Sequence, residues 1–427
     1  MKRPLVTGAF LLLFGLIVQG AGDKVSGLIT GKNAFVDAKE LKPGEFRKIT
    51  ADALPKPFET QSNRNTELAP RPAGALPAAP AGFKVELYLD NLKNPRQIRI
   101  APNGDFFFTE TNAGEIKVLR GRTAEGKPQQ VETFATGQKG VFGINFYPPG
   151  PNPQWLYAGN TTSVVRFPYK NGDLKATGAA ETIVPELPSG GHSTRDLVFS
   201  KDGNQMLVAV GSGSNVDDPD THPSETRRAD ILEYTPDGKF VRIYAAGIRN
   251  PVGLAINPET GELWCSVNER DALGDNLVPD YVTHVQPGGF YGWPWYYIGN
   301  HQDPRLEGKH PELKDKVLIP DVLIQPHSAS LGLTFYEGTQ FPQEYRGDAF
   351  VAEHGSWNRA HESGHEVVRI PLEKGHASGA YEDFLTFLGP DGQAWGRPVG
   401  IAVGRDGALY VTDDGSRAIW RVSYGGK

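Results

Sequence analysis

From Phe83 onward, apolar and polar positions alternate along short runs, and the runs return with the same punctuation. The repeated stretches are QIRIAPNGDFFFTET (97–111), GINFYPPGPNPQWLYAGN (143–160) and DLVFSKDGNQMLVAVGS (196–212). They continue with GLAINPETGELWCSVNE (253–269), GLTFYEGTQFPQEYRGDAFVAEHG (332–355) and GIAVGRDGALYVTDDG (400–415). Each is an apolar run, a turn rich in Pro, Gly or Asp, and a second apolar run, which is the pattern of a β-hairpin. Six hairpins recurring at about 45 to 80 residues predict an array in which each repeat is one sheet. About 340 residues over six units leaves roughly 57 per unit, enough for four strands. Few stretches keep a helical period. The prediction is all-β, a six-bladed β-propeller of four-stranded antiparallel blades. Two packed β-sandwiches are the alternative, and they explain the regular recurrence less well. In a propeller the inner strands converge on a central channel. Loops from several blades then meet at one mouth, so polar residues far apart in sequence share a site.

The first 82 residues have a different texture. MKRPLVTGAFLLLFGLIVQGAG (1–22) carries Lys2 and Arg3, then an apolar run, then small residues. That is the pattern of a secretory signal peptide, with an uncleaved membrane anchor as the alternative. The segment APRPAGALPAAPAG (69–82) is Pro- and Ala-rich, as in an extended linker or a surface strap. The expected division is therefore a signal peptide over 1–21, an N-terminal extension or linker over 22–81, and the propeller domain over 82–427. The expected location is the periplasm or the medium.

Composition sharpens this picture at three points. The chain of 427 residues has 51 Gly and 34 Pro, with 10% aromatics, as many short strands joined by tight turns require. Its net charge of −6 gives no electrostatic case for nucleic acid. Cys265 is the only cysteine, so the chain has no internal disulfide, and its place in the strand ELWCSV predicts a buried, inert thiol.

Candidate chemistry lies at the predicted strand mouths. His192 sits in GGHSTRD (190–196), beside Arg195 and Asp196, where a rigid scaffold presents reactive side chains. Arg249 and Asn250 precede Pro251, which forces an extended or turn backbone there. An arginine offers five donors and a permanent charge, suited to a carboxylate or a developing oxyanion. Gln138 lies in a Gly-flanked loop before a strand, a position that by itself usually decorates a turn. Glu269, Asp271, Asp275 and Asn276 bring carboxylates and carbonyls to an irregular loop, as a hard cation such as calcium requires, although the spacing is not that of an EF-hand. Tyr291, Trp293 and Trp295 either wall a pocket or belong to the core. His361-Glu362-Ser363-Gly364-His365 matches the zinc-protease pattern H-E-x-x-H, but that pattern needs a helix. Ser363-Gly364 and the flanking strands argue for a turn. Glu353-His354 and Trp357-Asn358-Arg359 are the better pocket candidates in this stretch.

Taken together, GQKGVFGINFYP, GGHSTRDLVFS, GIRNPVGLAINPETGELW, GGFYGWP, EHGSWNR and WGRPVGIAVGRDG resemble the pyrroloquinoline quinone (PQQ)-dependent sugar dehydrogenases, and more closely their sorbosone dehydrogenase branch. The pieces span about residues 82 to 425 in family order. The resemblance implies PQQ over the central channel with calcium beside it. It implies His192 as general base and Arg249 as support for substrate and cofactor oxygens. Asn250 and Gln138 become cofactor contacts, and Arg397, in WGRPVG, falls near an arginine that holds a cofactor carboxylate. The calcium ligands correspond to the backbone carbonyls of Glu269 and Arg270, with Asp271 adjacent. The soluble glucose dehydrogenases use a lysine after the fifth repeat to hold the quinone carboxylates; here AEHGSWNR lacks it, and Arg359 is the expected substitute. The calcium loop is longer and more acidic, and the substrate loops differ, so glucose is not assumed. The implied activity is oxidation of a sugar or sugar-derived aldehyde. Hydride passes to the quinone, and the reduced quinone then gives its electrons to an external acceptor, a quinone or cytochrome. A calcium-dependent sugar lactonase and a non-catalytic binding propeller are the rival readings.

Overall fold

In the computed structural model, which describes residues 25–64 and 68–426, each of the six predicted hairpins forms the two inner strands of a four-stranded antiparallel sheet. The chain is all-β, and its helices among the described residues are short 3-10 turns. Blade one comprises Pro95–Ile100, Phe106–Glu110, Glu115–Arg122 and Pro128–Ala135. Blade two comprises Ile144–Tyr147, Trp155–Asn160, Ser163–Pro168 and Glu181–Val184. Leu197–Phe199, Met206–Val210, Asp230–Tyr234 and Phe240–Ala246 make blade three. Blade four takes Asn250–Ile256, Leu263–Asn268, Pro279–His284 and, after a long insertion, Val322–Pro326. Blade five is Ser330–Phe335, Ala349–Glu353, Glu366–Ile370 and Tyr381–Thr386. In blade six the strands Pro398–Val403, Leu409–Asp413 and Ala418–Tyr424 come from the end of the chain, and the outer strand Phe83–Leu89 comes from its beginning. That splice closes the ring and pairs Phe83 with Tyr424. The result is a six-bladed β-propeller.

The first residue of each sequence repeat explains how six sheets converge. The positions are Gln97, Gly143, Asp196, Gly253, Gly332 and Gly400. A β-carbon on Gly143 would lie 2.6 Å from the carbonyl oxygen of Arg195, and one on Gly332 would lie 2.3 Å from that of Val399. The same holds for Gly253 against Leu331 and Gly400 against Arg96. Neighbouring inner strands therefore pass backbone to backbone, a separation that only glycine permits. The two non-glycine positions bond across the ring instead. Gln97 Nε2 donates to Asp196 Oδ2 at 2.9 Å, and Arg99 and the Leu254 N–H reach the same carboxylate at 3.1 and 3.0 Å. Those three donors satisfy a carboxylate that is fully buried.

Between blades, the sheets pack face to face through apolar side chains. Phe107, Ile116, Ile144 and Leu156 fill the space between blades one and two, and Tyr157, Leu197, Phe199 and Val208 that between two and three. Cys265 is buried in the core between blades three and four, and burial pushes its thiol pKa well up, so it is inert as expected. Phe350, Phe384, Trp395 and Trp420 join blades five and six.

The 25–82 stretch packs on the propeller. Phe46–Lys48 pairs antiparallel with the outer strand of blade five, opposing Arg47 to Tyr381, and Ile29–Thr30 adds a parallel sixth strand. Ile49 bridges to Leu323 of blade four, and Ala78 to Thr386 of blade five. The Arg71 guanidinium lies 4.6 Å over the Trp420 ring. The segment is thus a strap over blades four to six. The leader-like residues 1–21 lie outside the described residues. Among the described residues no helix is long and apolar enough to cross a membrane.

Candidate active site

The loops that lead into the inner strands open on one face of the ring, and residues from five blades surround a cavity of about 460 Å³ there. Its floor follows from the glycine positions. Phe142, Val252, Leu331 and Val399, each the residue before a channel glycine, form a separate buried apolar cluster. Val252 and Leu331 reach the cavity. The walls are polar. His192 comes from the loop before blade three, Arg249 and Asn250 from the loop before blade four, and Arg96, His354 and Arg397 from blades one, five and six.

His192 places Nδ1 3.0 Å from the carbonyl oxygen of Ser212 and 3.1 Å from its hydroxyl. A carbonyl only accepts, so Nδ1 carries the proton and Nε2 keeps its lone pair. Burial, then the nearby Arg249 charge, lowers the imidazole pKa to about 4. The ring is neutral at pH 7, with a free basic nitrogen beside a permanent cation.

Arg249 is 5% exposed and held on three sides. It donates to the Asn215 carbonyl at 3.2 Å, the Glu269 carbonyl at 2.6 Å and the Asp271 carboxylate at 3.0 Å. Asp271 also meets Asn358 at 2.7 Å and His327 at 3.3 Å. Burial pushes its carboxyl up, but His327, Arg249 and Asn358 outweigh this and hold it at about 2. Asp280 accepts from the N–H groups of Glu269 and Ala329, both at 2.7 Å, so it pins the mouths of blades four and five together. Burial raises its pKa to about 7.

Two groups in the wall are only partly satisfied. Asn250 donates to Asn268 at 3.2 Å, but its Oδ1 is buried with none. Arg397 touches only His354 at 3.3 Å and the Ser356 carbonyl at 3.4 Å, and no carboxylate among the described residues lies within ion-pair distance of it. By contrast Arg96 is paired with Asp414 at 2.6 Å, which also takes His354 at 2.8 Å.

His192, Arg249, Asn250, Glu269, Asp271 and Arg397 therefore share the cavity, as do His354, Trp357 and Asn358. Three expected residues do not line it. Gln138 stays in its own loop, donating to Thr136 and accepting from Asn160 at 3.2 Å. Arg270 is fully buried behind the wall, where Glu269, Asp303 and the carbonyls of Pro294 and Tyr296 take up its guanidinium. Arg359 is not a substitute for the missing lysine: it is 1% exposed and turned toward the strap, donating to Val36, Gln325 and Asn276. Asp275 is likewise taken up by strap residues Asn63 and Thr60. Tyr291 and Trp293 are buried wall supports, with the Trp293 indole donating to the Asn215 carbonyl at 2.9 Å. The H-E-x-x-H stretch is a turn, not a helix.

Arg96, His327 and Asp280 were not singled out from sequence. Arg96 carried a usable signal: Asn94-Pro95-Arg96, Arg249-Asn250-Pro251 and Arg397-Pro398 each mark the start of an inner strand. His327 has the same placement before blade five, in a left-handed conformation at φ 65°.

The ring, its apolar floor and the polar, cation-bearing wall define a propeller with a small-molecule site at the mouth of its channel. The family described as Glucose / Sorbosone dehydrogenase matches residues 92–421, and the chain belongs to that family. An uncharacterised protein of Borreliella burgdorferi is 31% identical over 358 residues, covering 81% of this chain and 90% of that protein. The aldose sugar dehydrogenase YliI of Escherichia coli is 27% identical over 300 residues, covering 64% of this chain and 78% of its own. Among solved structures, the holo form of the pyranose dehydrogenase PQQ domain from Coprinopsis cinerea superposes with a TM-score of 0.68 at 23% identity, over 83% of this chain and 98% of that one.

Proposed function

We propose that this chain is a PQQ-dependent oxidoreductase of sugars or sugar-derived aldehydes, with His192 as its general base. The observation that carries the reading is a neutral imidazole with its tautomer fixed, beside an immobilised Arg249, over an apolar floor. The wall fits a planar tricarboxylate. Arg397 is a guanidinium without a carboxylate, and Asn250 Oδ1 is a buried acceptor without a donor. PQQ, when bound, supplies the hydride acceptor. Arg397 would hold a carboxylate of it, Asn250 a donor, and Val252 and Leu331 a flat face. His192 Nε2 accepts the substrate hydroxyl proton. Arg249 stabilises negative charge on that oxygen, and its three anchors keep it from reorganising as the charge develops.

The calcium expected from the family fits these donors poorly. The Glu269 carbonyl and the Asp271 carboxylate both lie within 3.0 Å of the Arg249 guanidinium, so a divalent ion on them would meet a like charge. The acidic group with metal-like spacing among the described residues, Asp218, Asp220 and His310, is elsewhere. An exported location and an external quinone or cytochrome acceptor complete the proposal.

Titrating the protein with PQQ, with and without calcium, tests it. Saturable binding with a bound-quinone absorption band, and dye-linked oxidation of aldoses or aldehydes, are the expected results. A protein that leaves PQQ unbound in both conditions would refute the reading.

A second expectation concerns pH. With the base at a pKa of about 4 instead of 6.5, kcat/KM stays level from pH 8 down to about 5 and falls only near pH 4. The sign for stability is the same. Between 6.5 and 4 the unfolded chain binds the proton and the folded one does not, so stability declines as pH falls through that window. An acid limb centred near pH 6.5 would contradict a desolvated His192.

A further inference from the structure

A second cavity of about 590 Å³ adjoins the first, and Arg397 lines both. The loop 356–362 contributes to both: Trp357 and Asn358 line the redox cavity, and Ser356, Ala360 and Glu362 line its neighbour. The outer wall comes from the strap, through Asp37, Lys39, Leu68 and Ala69. The strap lies outside the matched span 92–421. It is held there by Ala38 N–H on the Glu362 carbonyl at 2.6 Å and Ala69 N–H on the Ala394 carbonyl at 3.0 Å.

The chemistry of this wall is specific. His365 is 2% exposed and donates Nδ1–H to the Gly396 carbonyl at 3.0 Å. With the proton on Nδ1, Nε2 is a neutral acceptor, and the ring packs against Gly355. Burial drives the His365 pKa to about 3, so the ring does not charge at neutral pH. Arg397, a donor, and Glu362, whose charge acts on Arg397, line the same space. Asp391 and Gln393 add further polar groups, and among the described residues no aromatic ring other than this imidazole lines it. Such a wall offers donors and acceptors in alternation but no flat apolar surface. That suits a polyhydroxylated ring and not a planar dye, a flavin or a lipid quinone.

We propose that the cavity under the strap is a saccharide subsite. It takes the next sugar unit of a substrate whose oxidised ring occupies the neighbouring redox cavity. The inference rests on the sugar-oxidising reading above and adds that the preferred substrates are disaccharides or longer. Arg397 stands at the junction between the two units.

The test uses the full chain loaded with PQQ, a set of disaccharides of different linkage, and their common reducing-end monosaccharide. The wild type should oxidise at least one disaccharide with a kcat/KM about tenfold above the monosaccharide, the worth of one hydrogen bond to a charged group. Glu362→Ala should erase that preference and leave the monosaccharide rate within twofold. Lys39→Ala, at a solvent-facing side chain that folding does not need, should reduce it in the same direction. Calorimetric binding of the same disaccharide to the quinone-free protein is the independent readout, with the affinity lost in Glu362→Ala. Equal rates for all sugars in wild type and variants, with no binding difference, overturn the subsite. If Glu362→Ala alters only the KM for the electron acceptor, the cavity serves the acceptor and the proposal is wrong. Should no sugar be oxidised at all, the dehydrogenase reading fails, and calorimetry still decides the subsite: disaccharide binding lost in Glu362→Ala supports it, and no binding overturns it.

Discussion

Replacing His192 with alanine is expected to lower kcat for sugar oxidation by about 10²–10⁴-fold, the usual worth of a positioned general base. The same change should leave PQQ affinity near the wild-type value. Ser212 takes the Nδ1 proton at 3.0 Å, so Nε2 is the nitrogen with a lone pair, and the ring cannot switch tautomer without breaking that bond. Burial and Arg249 then keep it unprotonated. A glutamine at 192 would fill much of the space without a base and should be nearly as slow. Steady-state kinetics on quinone-loaded protein, with a parallel PQQ titration, separates lost proton transfer from lost cofactor. A variant that keeps wild-type turnover with PQQ bound removes His192 from the reaction.

The largest effect on stability is expected at Arg47, far from the cavity. Its guanidinium is 1% exposed and grips Asp383 of blade five through Nε at 3.1 and 3.0 Å and Nη2 at 2.8 Å, with Glu45 at 2.9 Å. Burial works to lower the Arg47 pKa, but the Asp383 carboxylate outweighs it and raises it; burial in turn lifts the Asp383 carboxyl to about 6, against the pull of Arg47, so the pair is ionic at pH 7. Arg47→Ala leaves Asp383 buried without its cation, which costs about 3–5 kcal/mol for a pair of this kind. In thermal melts that corresponds to a fall of roughly 3–6 °C in a chain of this size. Lys48→Ala is the control: its ammonium reaches the Ser378 carbonyl at 2.7 Å from an exposed position, so its loss should be nearly silent. Arg47→Met with Asp383→Leu should recover most of the loss, because an apolar pair of similar volume replaces the charges. A melt of Arg47→Ala within 1 °C of wild type would mean that the strap contributes little to the fold.

The two effects share a cause. One arginine in the site and one in the strap are both fixed by carboxylates from another part of the chain, 22 residues away for Arg249 and 336 for Arg47. At the active site the anchored cation is an electrostatic tool. In the strap it is a clasp, and losing it would also loosen the wall of the second cavity.

Local pattern carried much of the fold and part of the site. Turn residues and alternating apolar runs act over a few positions, so all six inner hairpins were legible, each beginning at a residue that faces the channel. His192, Arg249 and Asn250 were legible because each stands at or shortly before the start of an inner strand, and Arg397 through the resemblance of WGRPVG to the family. The partners of those residues were not. Arg359 and Asp275 read as ligands until the strap folds over them and takes their hydrogen bonds. Arg96 gains its setting from Asp414, at the opposite end of the chain, and His354 from the same carboxylate. By itself the sequence determined how many blades there are and which side chains stand at their mouths, because both are short-range properties of strand and turn. Ring closure and the strap decided which of those side chains are neutralised by neighbours and which are left facing a ligand. That outcome depends on contacts between segments hundreds of residues apart, on which local periodicity is silent.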